Sequence, residues 1–107
     1  MSPLREPTFF ILTALAAGPM HGYRILRWIE ETSDGRVRLR AGTLYAALDR
    51  LERDGYIELI GTDSDGGPQR RSFALTVDGR RLLQDEVDRL SANASIGRSM
   101  LADGMAT

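Results

Sequence analysis

The chain contains no cysteine, no lysine and only one histidine, His21, among its 107 residues. Without thiols there can be neither a disulfide nor a thiolate metal site. A lone imidazole likewise lacks the partners of a tetrahedral ligand set, so no metal or cofactor is expected. All 14 basic residues are arginine, an absence of lysine that genomic base composition is enough to produce and that carries no argument for bidentate recognition. Charges and glycines interrupt every apolar block well short of the roughly 18 residues a membrane span needs, and the amino-terminal segment lacks the pattern of a leader. The expected location is the cytoplasm. A glycine-rich phosphate loop of the Walker type is missing too, and His21 has no evident serine and carboxylate partners in a cleft, so an enzyme is not expected.

What is present suits one small domain: 42% of residues are hydrophobic, enough for an ordinary core. A monomer of this length buries only about two-thirds of the surface its unfolded chain exposes, so a second copy would add stability. The formal net charge of -1 conceals an uneven distribution. Between Arg70 and Arg81, four arginines (70, 71, 80, 81) face one acid, Asp78, which gives +3. Arg36, Arg38 and Arg40 form a second basic cluster, while Asp85, Glu86, Asp88 and Asp103 lie further along. Basic patches in a near-neutral chain can still attract a polyanion.

Periodicity and punctuation predict the elements. Pro7 and Thr8 precede the apolar run FFILTALAA, which ends at Gly18 and Pro19 as a short helix does. Its apolar residues run nearly all the way round, which calls for two partners: the domain's own core and something beyond it. A second helix is predicted from about His21 to Thr32, with Gly22, Ile25, Leu26 and Ile29 on one face. Val37 and Leu39 alternate with Arg36, Arg38 and Arg40 as a short edge strand would. A third helix, from about Thr43 to Asp54, buries Leu44, Ala47, Leu48 and Leu51, with Gly55 as its C-terminal cap. Strands are predicted at 56–61 and 70–76, joined by the polar tip TDSDGGPQ. The last helix runs from Val77 to about Ala94, with Thr76 as N-cap and Leu83, Val87, Leu90 and Ala94 at spacings of four, three and four. Beyond Ser95 a frayed tail is expected.

Three helices closed by a hairpin describe an α+β, mostly helical fold, a winged helix-turn-helix with a C-terminal dimerisation helix. Residues 4–76 form the DNA-binding domain on this reading, and residues 77–107 the dimerisation helix and tail. Such a domain inserts its third helix into the major groove, which gives a use to the side of that helix away from the leucines. Gly42, Thr43, Tyr45, Ala46 and Arg50 are the candidate DNA-contacting residues there, with Arg70 and Arg71 of the hairpin reaching phosphate. Small Ala46 permits close approach, Tyr45 can donate to a phosphate, and Arg50 can reach phosphate or a guanine edge. Phe9, Phe10, Leu12, Leu83, Val87, Leu90 and Ala94 are the candidate dimer seam.

Three separated blocks, GPMHGYRILRWIE (18–30), RLRAGTLYAALDRLERDGYIE (38–58) and RRSFALTVDGRRLL (70–83), together resemble the PadR family of bacterial transcriptional regulators. The match runs from about Leu4 to Leu90. The resemblance implies a homodimer that binds a palindromic operator on double-stranded DNA, represses transcription, and is released in many members by a small molecule or another signal. It also implies that the last helix crosses to the partner and packs near the partner's first helix. With one modest helix after the wing, the chain is similar to the short subgroup.

Each candidate has a plainer reading. Arg70 and Arg71 could be a charged strand edge that resists aggregation, though their place beside the tip favours phosphate. Asp63 and Asp65 argue against deep insertion of that tip. Arg53 is assigned to pairs with Asp49, Glu52 or Asp54 along its own helix, whereas Arg50 lies nearer the reading end. Tyr45 could be a core aromatic, His21 is read as a capping or packing residue, and Trp28 either covers the core or stacks on a small apolar or aromatic effector. The rival function is a winged helix that binds protein, anchored by Tyr45 and Arg50. Salt separates the two, because DNA binding weakens steeply with ionic strength.

Overall fold

A computed structural model describes residues 3–63 and 70–106. Helix α1 (Glu6–Ala16) begins with Pro7 in its first turn, where a missing N–H costs nothing, and stops before Gly18, whose φ of 147° ends the helical path. The two-residue strand β1 (Met20–His21) follows, then α2 (Gly22–Thr32) and α3 (Ala41–Arg53). A hairpin of β2 (Ile57–Asp63) and β3 (Arg70–Leu75) leads into α4 (Val77–Ala106). The sheet is antiparallel in the order β1-β3-β2, with Met20 opposite Phe73 and Ile57 opposite Leu75. Between Leu59 and Gly61 the register shifts by one residue.

The core forms where α1, α2 and α3 converge on the sheet: Ile11, Leu15, Ile25, Leu44, Leu48 and Phe73 are all fully enclosed. Leu44, Ala47, Leu48 and Leu51 bury one side of α3, as their spacing predicts. Gly55 closes that helix at φ 84°: its N–H donates to the Glu52 carbonyl and the Tyr56 N–H donates to the Leu51 carbonyl. These two bonds are the Schellman pattern, so Gly55 is the cap expected of it. Thr76 is likewise the expected N-cap of α4, accepting the Gly79 N–H at 3.0 Å while its hydroxyl donates to the Gly55 carbonyl at 2.7 Å. One residue thus joins the end of α3 to the start of α4.

Two expectations are corrected. Residues 36–40 are not a strand; Val37 is buried, its N–H donates to Ser33 Oγ, and Arg36 turns to Glu6. The third strand is Met20–His21 instead, which lies antiparallel to β3 opposite Phe73 and Ser72. Nor does the last helix end near Ala94. It continues for 30 residues to Ala106, since no proline interrupts it and the spacing of Leu83, Val87, Leu90 and Ala94 carries on through Gly97, Leu101 and Gly104. The hairpin tip with Asp65 lies outside the described residues, and Asp63 enters through its backbone pairing with Arg70 alone.

Candidate nucleic-acid interface

The outer side of α3 is open. Gly42, Thr43, Ala46 and Arg50 are exposed along it, and among the described residues Arg50 forms no ion pair. This side therefore combines a small-residue floor with an exposed cation, which suits close approach to a groove wall. Arg53 is a correction. Its expected partner Asp49 is instead 3.7 Å from Arg71 of β3, and Arg53 makes no ion pair among the described residues.

Arg71 ties the wing to α3. Its guanidinium lies 5.5 Å from the Tyr45 ring centroid and 5.6 Å from that of Phe73, with the Asp49 carboxylate completing the set. Tyr45 is half-buried because Gly22 leaves room for it: a Cβ on Gly22 would come within 2.8 Å of the ring's Cε1 and 2.9 Å of its hydroxyl. Tyr45 therefore serves packing first and keeps one edge toward the surface. Arg70, one residue earlier on β3, is exposed. His21 occupies the N-cap position of α2 without a side-chain capping bond; its Nδ1 is hydrogen-bonded to Ser72 Oγ at 2.8 Å, linking β1 to β3.

The candidate seam divides in two. Leu12 is 0% exposed and belongs to the protomer's own core, as Leu83 does almost completely, so Leu12 has no surface left for a partner and its assignment to the seam is corrected. Phe9 and Phe10 stack edge to face at 5.6 Å and remain partly exposed. Val87, Leu90 and Ala94 are exposed, and so is every residue from Ser91 to Met105. Trp28 is half-buried against the core.

Three features escaped sequence reasoning. Glu86 is only 2% exposed; its oxygens accept bonds from Arg89 Nε at 2.6 Å and Nη2 at 2.8 Å, and from the Leu4 N–H at 2.9 Å. The Arg89 bonds hold the carboxyl at about 2, below its ordinary 4.5, against the opposing effect of burial and with help from the Leu4 amide. Arg5, just before α1, lines a hollow with Thr8, Thr43 and Arg50. Tyr23 stands 62% exposed at the start of α2. Only Tyr23 carried a local signal, its place on the polar side of a helix whose apolar side is clear.

Comparison with known proteins places these features in context. A family model described as the transcriptional regulator PadR-like family matches residues 11–85. An uncharacterized 37.1 kDa protein in transposon Tn4556 of Streptomyces fradiae is 43% identical over 86 residues, 80% of this chain. The match spans only 23% of that protein's length. The solved structure of Bacillus subtilis PadR in complex with operator DNA superposes with a TM-score of 0.70 at 25% identity, covering 78% of this chain and 47% of that one. A PadR-like transcription factor from Bacteroides fragilis gives a TM-score of 0.70 at 26% identity, covering 85% of this chain and 86% of that one. Among the described residues no helix is long and apolar enough to cross a membrane.

Proposed function

The chain belongs to the PadR-like family of transcriptional regulators, and from that premise we propose that it acts as a homodimeric repressor, two copies of which set their α3 helices into successive major grooves of a palindromic operator. The observation that carries this reading is the divided character of α3. Its leucines close the core, while Gly42, Thr43, Ala46 and Arg50 stand exposed with no internal task. Arg50 reaches a guanine edge or phosphate, Tyr45 offers its hydroxyl at the rim, and Arg70 and Arg71 approach the flanking backbone from the hairpin. The B. subtilis PadR structure that this chain resembles is a complex with operator DNA.

The dimer is supported by α4. Thirty residues at 1.5 Å per residue give a rod about 45 Å long, and every residue of it from Ser91 to Met105 is exposed in the protomer. An isolated helical stretch of that length is marginal in water, so a partner helix is its natural cover. Val87, Leu90, Ala94 and Leu101 supply the seam, and Phe9 and Phe10 of α1 offer apolar surface for the partner's rod. Residues 77–107 are thus the dimerisation segment and residues 4–76 the DNA-binding domain. Release of the operator falls to a small aromatic or apolar effector held between protomers near Trp28, which quenching of its fluorescence would report.

Capture of genomic fragments by the purified full chain, followed by a salt titration on the selected sequence, tests this function. The logarithm of affinity should fall against the logarithm of salt with a slope near -0.9 per phosphate contacted, several units in all. A shallow slope, or no enriched fragment, would favour a protein-binding surface instead.

A further inference from the structure

A hollow opens between the start of α1 and the outer side of α3. Arg5 and Thr8 line it from one element, Thr43 and Arg50 from the other, with Gly42 and Ala46 leaving room between them. Two guanidinium groups share this space, and among the described residues no carboxylate lines it. Glu6, next to Arg5 in the chain, is engaged elsewhere: both its oxygens lie 3.0 Å from Nη1 of Arg36. Like charges held together without a counterion repel, and that repulsion is relieved by an anion placed between them.

The backbone beneath Arg5 is fixed at both sides. Its carbonyl accepts the Phe9 N–H at 3.0 Å, and the N–H of Leu4 donates to the buried carboxylate of Glu86. Arg89 grips that carboxylate with two further bonds. Arg5 is therefore a long side chain on a rigid post, so binding has only the side chain left to order. The side chain itself makes no capping bond to α1 and no ion pair among the described residues.

We propose that Arg5 and Thr8, together with Thr43 and Arg50, form a contact for a backbone phosphodiester of the operator, placed beside the reading helix and independent of base sequence. This inference rests on the DNA-binding reading. A duplex presents phosphates at the rim of the groove that α3 enters, which is where this hollow lies. The hydroxyls of Thr8 and Thr43 add neutral donors to the two cations, a set matched to a phosphate rather than to a base edge.

The test compares the full-length protein with Arg5→Ala, Arg5→Lys and Arg50→Ala on the selected operator and on an unrelated duplex of equal length, across a salt series. With one such contact in each protomer of the dimer, Arg5→Ala should flatten the salt slope by about 1.8 and weaken binding to both duplexes by the same factor, roughly sixtyfold at 0.1 M salt. Arg5→Lys should restore the slope, since a point charge serves a phosphate. An unchanged slope in Arg5→Ala, beside a steep wild-type slope, overturns this inference and leaves the DNA reading intact. Loss confined to the operator would also overturn it, by making Arg5 a base contact. Competition by inorganic phosphate at constant ionic strength, sensitive to Arg5→Ala, would assign the hollow to a free anion. A shallow slope in the wild-type protein would bring down the DNA reading and this inference together.

Discussion

Leu101→Asp separates a dimerising α4 from a solitary one. In the protomer Leu101 is 72% exposed, so the substitution removes little from the protomer's own core and costs it at most about 0.7 kcal/mol of helix propensity. In a dimer with Leu101 at the seam the cost is different. Burying a leucine side chain is worth about 1.5–3 kcal/mol, and about seven-tenths of that remains to be gained on association. Two protomers contribute, which gives roughly 2–4 kcal/mol per dimer before charge is counted. Two carboxylates brought into an apolar seam add at least about 1–3 kcal/mol more, as desolvation without a partner. At about 1.4 kcal/mol per tenfold, the dimer dissociation constant should rise at least a hundredfold. Sedimentation equilibrium over a wide concentration range reads this directly. Ser99→Asp, on the opposite side of the same helix in the heptad pattern, is the control and should leave association unchanged. A Leu101→Asp protein that dimerises as tightly as wild type would refute the assignment of this helix to the seam.

Other expectations follow from the same geometry. Arg50→Ala should weaken operator binding by about 1–3 kcal/mol per half-site in a gel-shift titration, while the thermal midpoint stays within the small change typical of surface substitutions. Gly79→Ala should destabilise the fold by about 1–3 kcal/mol, because its Cβ would collide with the Tyr56 carbonyl oxygen; an unchanged urea midpoint would contradict that packing. The low value of the Glu86 carboxyl means that its contribution is present above about pH 4.5 and is lost as the pH falls from there toward 2. Thermal melts of wild type and Glu86→Gln should therefore converge on acidification, and a constant difference between them would contradict the clamp.

Features set by neighbours in the chain were legible in the sequence. Leucines at spacings of three, one and three define the buried side of α3, Gly55 ends it, and Thr76 starts α4, because each depends on residues within a turn or two. Pairings across the chain were not. Strand β1 is two residues long, too short to alternate, and exists through its register with Phe73 and Ser72 some fifty positions away. Residues 36–40 do alternate, yet among the described residues no strand pairs with them, and the pattern serves to turn Val37 and Leu39 toward the core. The length of α4 was underestimated because Gly97 and Gly104 count against a helix when weighed singly, whereas they extend the same spacing that Leu83 begins. In the site, Arg50 and its neighbours follow from helical geometry. The capture of Asp49 by Arg71, and of Leu4 by Glu86, joins residues 22 and 82 positions apart and has no local signature.

The central claim is that paired α3 helices read two grooves on one face of a duplex. Hydroxyl-radical footprinting of the full-length protein on its selected operator tests it most directly. Two protected patches centred about one helical turn, or 10–10.5 base pairs, apart and related by the operator's symmetry are the predicted result. A single unsymmetrical patch, or uniform cleavage under conditions where the protein is saturated, would contradict it.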